Sequence, residues 1–169
     1  MTEPVPQLDY TDTVVRPRWE QLPREVRRAV EGAAGARVAH AGAPATSGFS
    51  GGFAAVLQLV DGRRVFAKAG SSDNPHLLSA YAQEAVVLSA LPPEAPAPRL
   101  VGAGSVPRGQ ADERAWRVVV TQEATGRMPH PWTEADLAAV HDACVASAAA
   151  LTPVPAGLDL PGMPEDYAR

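Results

Sequence analysis

The segment that most constrains the fold of this chain reads TSGFSGGFAAVLQLVDGRRVFAK, from residue 46 to residue 68. It begins with a cluster of glycine and serine and continues into an apolar run from Phe53 to Val60. Asp61-Gly62 is a dipeptide typical of a two-residue hairpin turn, and a second run, Val65 to Lys68, follows it. The pattern predicts a glycine-rich loop that leads into an antiparallel hairpin.

Lys68 lies on the returning strand of this hairpin and is the only lysine among the 15 basic residues of the chain. Lysine carries a compact point charge on a flexible stem, whereas arginine carries a planar fork. Two interpretations therefore stay open. Either the ammonium group is specifically required at this position, or the stem lies along a sheet edge with its head in water.

A helix is predicted after the hairpin, with Asp73 or Asn74 as its cap and Pro75 in its first turn. Glu84 falls on the same face as the apolar side chains of this helix, which are Leu77, Tyr81, Leu88 and Leu91. A carboxylate on a buried face is destabilising unless it is paired, and Lys68 is the candidate partner. The alternative is that Glu84 lies at the edge of that face, in contact with solvent.

This order of glycine-rich loop, hairpin, strand lysine and helix glutamate resembles the N-terminal lobe of the protein-kinase-like fold. It is most similar to the aminoglycoside phosphotransferase family. The resemblance implies that the loop covers the phosphates of ATP, that Lys68 binds the α- and β-phosphates, and that Glu84 orients Lys68. The loop residues with this implied role are Ser47, Gly48, Ser50, Gly51 and Gly52. The loop departs from a regular GxGxxG pattern, and the strand reads VFAK where protein kinases have VAIK.

The resemblance also implies where the adenine would bind. Because side chains alternate along a strand, Phe66 shares a face with Lys68 and could stack on adenine; the alternative is an ordinary core residue. In the family, the chain after the fifth strand forms a hinge whose backbone binds the adenine edge. By position, the carbonyl of Gln122 and the N–H of Ala124 would make those contacts, and Gly126 would let the chain turn.

The predicted fold class is α+β: a kinase-like lobe with a five-stranded antiparallel sheet and one packed helix. An N-terminal helix precedes the lobe, and a hinge and a C-terminal helix with an apolar face follow it. We predict a disordered N-terminus over residues 1–18 and the lobe over 19–126. Residues 127–169 would form a linker and the first helix of an otherwise absent C-terminal lobe.

The sequence lacks the residues that catalyse phosphoryl transfer in this fold. That chemistry needs an aspartate to position the acceptor hydroxyl, and an asparagine and a further aspartate to hold Mg²⁺. The chain contains no H-x-D motif, and Asn74, upstream of the hinge, is its only asparagine. We therefore expect a truncated phosphotransferase with a weak or partial ATP site, no catalytic residue, and Mg²⁺ only if the missing lobe is supplied.

Two alternatives remain at this point. The chain could be a non-catalytic interaction module on a kinase-like scaffold, whose exposed apolar face is covered by a second copy or another partner. It could also carry a flexible surface loop beside a purely structural Lys68–Glu84 ion pair.

Composition excludes several other classes of function. A net charge of -4 argues against a nucleic-acid partner. One cysteine and four scattered histidines give no metal-ligand spacing. The sequence has neither a run of about 18 apolar residues nor the pattern of a signal peptide, so we expect no membrane span and a cytoplasmic location.

Overall fold

The computed structural model of the protein describes residues 13–126 and 132–156. They fall into two compact units. The first contains residues up to 85 together with 98–124, and the second contains residues 86–97 and those from 125 onwards. The elements in chain order are a 3-10 turn (Trp19–Gln21), α1 (Arg24–Ala34), β1 (Val38–Pro44), β2 (Phe53–Leu59), β3 (Arg64–Ser71), α2 (Pro75–Ala90), β4 (Leu100–Val106), β5 (Trp116–Gln122) and α3 (Glu134–Leu151).

The five strands form one open sheet in the order β1-β2-β3-β5-β4, and all neighbouring strands are antiparallel. The predicted α+β class and five-stranded antiparallel sheet are therefore confirmed. β5 lies between β3 and β4, and Val118, Val119 and Val120 are all buried. A run of β-branched residues is typical of a strand that is covered on both faces.

The hairpin between β2 and β3 is present, but its loop is longer than the predicted two residues. The N–H of Leu59 donates to the carbonyl of Arg63 at 2.9 Å, so the loop consists of three residues, 60 to 62. Gly62 has a φ of 86°. A left-handed residue at the third position is the usual solution for three-residue hairpin loops, and glycine adopts it without steric cost.

The main core lies between α1 and one face of the sheet. α1 packs against β4, β5 and β3 and buries Val26, Val30 and Ala34. It approaches β4 closely at Gly102, where an added Cβ would collide with the backbone carbonyl of Ala33. The sheet contributes alternate side chains to this core: Phe53, Ala55, Leu57, Leu59, Val65, Ala67, Ala69, Val106, Trp116, Val118 and Val120.

This arrangement differs from the predicted lobe in the helix that provides the core. We expected the helix after the hairpin to be the packed one, but α2 buries only Leu77 and Tyr81. The N-terminal helix is the one with a continuous buried face. The sequences of α1 and α2 both place apolar residues at helical spacing. That spacing does not show which of the two helices packs against the sheet over its whole length.

The C-terminal helix α3 is capped at its N-terminus by Thr133. The Thr133 side chain accepts a hydrogen bond from the N–H of Asp136, and the Asp136 carboxylate accepts one from the N–H of Thr133. The predicted apolar face of α3 does not form part of a core: no side chain of α3 is buried, and Cys144 is exposed. Within the described residues, no helix is long and apolar enough to cross a membrane.

Candidate functional site

The face of the sheet opposite α1 carries Lys68. Val65, Ala67 and Ala69 point into the core with α1, so the alternate residues of β3, Phe66 and Lys68, share the other face. Lys68 stands between Ala54 on β2 and Val119 on β5. Phe66 stands between Val56 and Thr121, and its side chain is half-buried. A row of small and apolar side chains therefore surrounds the single lysine.

Lys68 forms an ion pair with Glu84 of α2. The ammonium Nζ donates a hydrogen bond to the Glu84 Oε1 at 2.7 Å. The Lys68 and Glu84 side chains are 29% and 26% exposed, so the pair is neither fully solvated nor sealed in the core. Such a pair holds the ammonium in one direction while leaving part of it accessible to an anion. Of the two interpretations of Glu84, the structure shows the paired one.

Glycines bring α2 close enough to β3 for this pair to form. A Cβ at Gly52 would lie 2.7 Å from Leu77 Cδ2 and 2.8 Å from the Ala69 carbonyl oxygen. A Cβ at Gly70 would lie 2.9 Å from Leu77 Cγ. Side chains at these two positions would push the first turns of α2 away from the strands. Gly52 thus belongs to the packing of α2 as well as to the glycine-rich segment.

The first turn of α2 is fixed by Asn74. The side-chain oxygen of Asn74 accepts a hydrogen bond from the N–H of Leu77 at 3.1 Å, and Pro75 is the first helical residue. Both features match the predicted start of the helix. Asn74, the only asparagine of the chain, is therefore a helix cap.

Tyr81 lies between the ion pair and the glycine-rich segment. The Lys68 ammonium is 5.9 Å from the centroid of the Tyr81 ring, within the range of a cation–π contact. Burial raises the pKa of the Tyr81 hydroxyl, while the positive charge of Arg16 and a hydrogen bond with Ser50 act in the opposite direction. Tyr81 therefore connects α2, the helix that carries Glu84, to Ser50 of the glycine-rich segment.

The glycine-rich segment, residues 45–52, is held by residues that we predicted to be disordered. The N–H groups of Thr13 and Val14 donate to the carbonyl of Thr46 at 3.0 and 3.1 Å. The Thr13 hydroxyl donates to the carbonyl of Gly48 at 2.7 Å. Residues 13–18 are thus an ordered part of the structure; the remainder of that prediction, residues 1–12, lies outside the described residues.

Arg16 makes the most extensive contacts with this segment. Its Nε donates to the carbonyl of Ala45 at 2.9 Å, and its Nη2 donates to the carbonyl of Ser47 at 3.2 Å. Its Nη1 donates to the carbonyl of Gly52 at 2.8 Å and to the hydroxyl of Ser50 at 3.3 Å. Sequence reasoning missed Arg16, because one arginine in an irregular segment has no periodicity or motif that marks its partner.

The predicted adenine contacts lie farther along the sheet. Gln122 pairs with Val65, three residues before Lys68, which corresponds to about 10 Å along a strand. The Gln122 N–H donates to the carbonyl of Arg99 at 2.8 Å, and both Gln122 and Ala124 are exposed. An ion pair of 2.7 Å between Arg64 and Glu123 ties the chain after β5 to β3.

A separate cavity of about 340 Å³ lies at the other end of β3 and β5. Its lining shares Gly51 and Gly52 with the predicted site but includes neither Lys68 nor Glu84. Arg114 lies over the Trp116 ring at 4.9 Å from the ring centroid and pairs with Asp112 and Asp73. The complete lining is Pro17, Gln21, Leu22, Pro23, Gly51, Gly52, Phe53, Ser71, Asp73, Asn74, Leu77, Arg114 and Trp116.

Comparisons of the chain with protein-family models and with curated protein sequences find no match. The geometry around Lys68 is therefore the basis for a functional assignment. A partly exposed lysine, oriented by a carboxylate and paired with the strand that follows the glycine-rich segment, is chemically suited to bind anionic oxygens.

Proposed function

We propose that the first unit is the nucleotide-binding lobe of a kinase-like phosphotransferase, similar to the aminoglycoside phosphotransferase family, and that it binds ATP. The observation that carries this proposal is the 2.7 Å ion pair between Lys68 and Glu84. Support comes from its setting: the pair lies on the face of the antiparallel sheet opposite α1, and β2, which pairs with β3, begins at the end of the glycine-rich segment.

In this proposal each group has one role. Lys68 binds phosphate oxygens, and Glu84 keeps the ammonium directed towards them. The glycine-rich segment allows backbone to approach the phosphates closely at Gly48, Gly51 and Gly52, since these residues have no side chain. Phe66 offers an aromatic surface to the adenine, and the backbone of Gln122 and Ala124 offers hydrogen bonds to its edge.

The proposed role stops at nucleotide binding. With no H-x-D motif in the sequence, no residue is assigned to activate an acceptor hydroxyl. Asn74 is committed to capping α2 and is not assigned to Mg²⁺. We therefore expect these 169 residues to bind ATP without transferring its phosphate, and Mg²⁺ to require ligands from another polypeptide or domain.

Isothermal titration calorimetry with ATP tests the proposal. The variants are Lys68→Met and Glu84→Gln. The control is Arg63→Met, which removes a cation from a 2.7 Å ion pair with Asp61 in the hairpin loop, away from the site. Loss of a hydrogen bond to a charged group costs about 1.5–3 kcal/mol, so Lys68→Met is expected to weaken ATP binding about tenfold or more.

Glu84→Gln keeps a neutral acceptor for Lys68 and is expected to weaken binding less than Lys68→Met does. Arg63→Met is expected to bind ATP as the wild type does. Equal ATP affinity of the wild type and folded Lys68→Met would refute the proposal, and so would the absence of any binding by the wild type.

The second candidate function is a non-catalytic interaction module, favoured by the apolar residues that α3 exposes. Leu137 and Val145 are 57% and 55% exposed, and both belong to the same helix. In this alternative a second copy of the chain covers these residues. Static light scattering with and without ATP separates the two functions: a stable dimer that is insensitive to ATP and lost in Leu137→Glu supports the module.

A further inference from the structure

The contacts between residues 13–16 and the glycine-rich segment all involve oxygen atoms of that segment. Three successive carbonyls accept from this N-terminal stretch: Thr46 from the N–H groups of Thr13 and Val14, Ser47 from Arg16, and Gly48 from the Thr13 hydroxyl. Arg16 adds the carbonyls of Ala45 and Gly52. One side of the segment is therefore an acceptor surface that the N-terminal stretch covers.

The orientation of these carbonyls determines the orientation of the neighbouring N–H groups. In a planar trans peptide the C=O and the following N–H point in opposite directions, and these peptide bonds are trans. The N–H groups of Ser47 and Phe49 therefore point away from Thr13 and Val14, and the Gly48 N–H points away from Arg16. In an extended strand successive N–H groups point alternately to the two sides of the chain. Gly48 has a φ of 105°, so the backbone here is not an extended strand. Successive N–H groups that share one side form a concavity suited to an anion.

Arg16 also connects the segment to the helix that carries Glu84. Its Nη1 binds the Ser50 hydroxyl and the Gly52 carbonyl, and Gly52 packs against Leu77 of α2. Arg16 is half-buried and meets four neutral acceptors through three nitrogen atoms. Lysine, with a single nitrogen, cannot reproduce this set of contacts.

We infer that Arg16 is a positioning residue of the nucleotide site: by binding the carbonyls of Ala45, Ser47 and Gly52 it fixes the segment whose N–H groups at Ser47, Gly48 and Phe49 bind the phosphates. This inference rests on the proposed function, because it assigns the phosphates of ATP to that concavity. Arg16 acts from the carbonyl side of the segment and makes no phosphate contact itself. Its loss would therefore weaken the binding of phosphate-bearing ligands and spare the binding of adenosine.

The test compares the wild type with Arg16→Ala, Arg16→Lys and the control Arg28→Ala, which removes one positive charge from the exposed side of α1. Calorimetry measures the affinities for ATP and adenosine. Amide NMR follows Ser47, Gly48 and Phe49 in two experiments: the heteronuclear NOE in the absence of ligand, and a titration with inorganic tripolyphosphate. Far-UV circular dichroism confirms that each variant is folded.

For Arg16→Ala we expect an ATP affinity about tenfold lower, which corresponds to about 1.4 kcal/mol, an unchanged adenosine affinity, and a reduced NOE at the three amides. Arg16→Lys is expected to fall between Arg16→Ala and the wild type, and Arg28→Ala to match the wild type. Equal losses for ATP and adenosine, or an unchanged NOE in folded Arg16→Ala, would overturn the inference while leaving the proposed function standing.

Failure of the proposed function is distinguishable from failure of the inference. If the wild type binds no ATP, the proposed function fails. The tripolyphosphate titration then tests whether the concavity formed by the three N–H groups binds an anion. Shifts of the three amides in the wild type that disappear in Arg16→Ala would support an anion site positioned by Arg16. The absence of such shifts in the wild type would overturn the inference too.

Discussion

At the residue scale, the same type of residue has opposite roles at neighbouring positions of the glycine-rich segment. A Cβ at Gly51 would meet no atom of the described residues within 4 Å. A Cβ at Gly52 would be in steric conflict with Leu77 and with the carbonyl of Ala69. Neither glycine has a positive φ, so the two positions differ in the space around them and not in backbone strain. Gly52 is required for packing, whereas Gly51 leaves the backbone accessible.

This contrast predicts different outcomes for Gly52→Ala and Gly51→Ala. Overpacking typically costs about 1–3 kcal/mol, so Gly52→Ala should lower the free energy of unfolding by about that amount. Gly51→Ala, the matched control, should leave it unchanged or raise it slightly, because alanine reduces the entropy of the unfolded chain. Urea denaturation followed by circular dichroism measures both. Equal stabilities of the two variants would contradict the close packing of α2 on Gly52.

A second residue-scale prediction concerns acid stability. The Arg114 guanidinium, which is hydrogen-bonded to Asp112, lowers the pKa of that carboxyl below its ordinary value of 3.8. A lowered pKa in the folded state stabilises the protein above the unfolded-state pKa, and this contribution disappears as the pH falls through the folded-state value. Asp112→Asn should therefore lose less stability than the wild type below about pH 4. Melting temperatures measured between pH 6 and pH 2.5 would show parallel curves for both proteins if this pairing has no effect.

At the element scale, α2 is the element that completes the candidate site. Its first turn is set by Asn74 and Pro75, its first two turns contact β3 through glycine, and its third turn carries Glu84. β3 supplies Lys68. Because side chains alternate along a strand, the residues directly before and after Lys68 point to the opposite face of the sheet. The ion pair therefore depends on where α2 begins, since a shift of one residue would rotate Glu84 by about 100° around the helix.

Removing the cap of α2 should be measurable in stability. Asn74→Ala deletes the acceptor for the Leu77 N–H, and loss of an N-cap typically costs about 1 kcal/mol. Asn74→Asp retains an acceptor and serves as the control, with stability close to that of the wild type. Urea denaturation of the three proteins provides the comparison. If Asn74→Ala is as stable as Asn74→Asp, then the hydrogen bond to Leu77 contributes nothing to the fold.

At the scale of the whole molecule, apolar side chains are distributed unequally between the two units. The first unit contains the core between α1 and the sheet, in which Leu57 is completely buried. The second unit contains α3, which buries none of its side chains. Burial of apolar surface is the main stabilising contribution to folding, so the first unit is expected to account for most of the stability.

Two leucines of similar chemistry but opposite exposure test this distribution. Leu57→Ala should lower the free energy of unfolding by about 2–5 kcal/mol, because it leaves a cavity in a packed core. Leu137→Ala, at a site that is 57% exposed, should change it by less than about 0.5 kcal/mol. Chemical denaturation measures both values. A large loss for Leu137→Ala would show that the α3 face is covered in solution.

Local chemistry made much of the fold predictable. The Asn74 cap, the glycine-rich segment before β2, the strand alternation that places Phe66 beside Lys68, and the antiparallel hairpin all depend on residues close together in the chain. Lys68 and Glu84 are only 16 residues apart, and they lie on consecutive elements. Turn propensity, capping and side-chain periodicity act over such short distances, so the pairing of lysine with glutamate could be inferred from the sequence.

The tertiary structure alone decided the features that depend on distant contacts. Arg16 binds residues 29 to 36 positions away, and no local pattern identifies a carbonyl as its partner. Periodicity likewise identified apolar faces on α2 and α3, but it did not show that α1 would cover the sheet or that α3 would bury none of its side chains. A pattern determines which side chains share a face. The surface that meets that face is selected by packing between elements far apart in the chain, as the close contact of Gly102 with Ala33 illustrates.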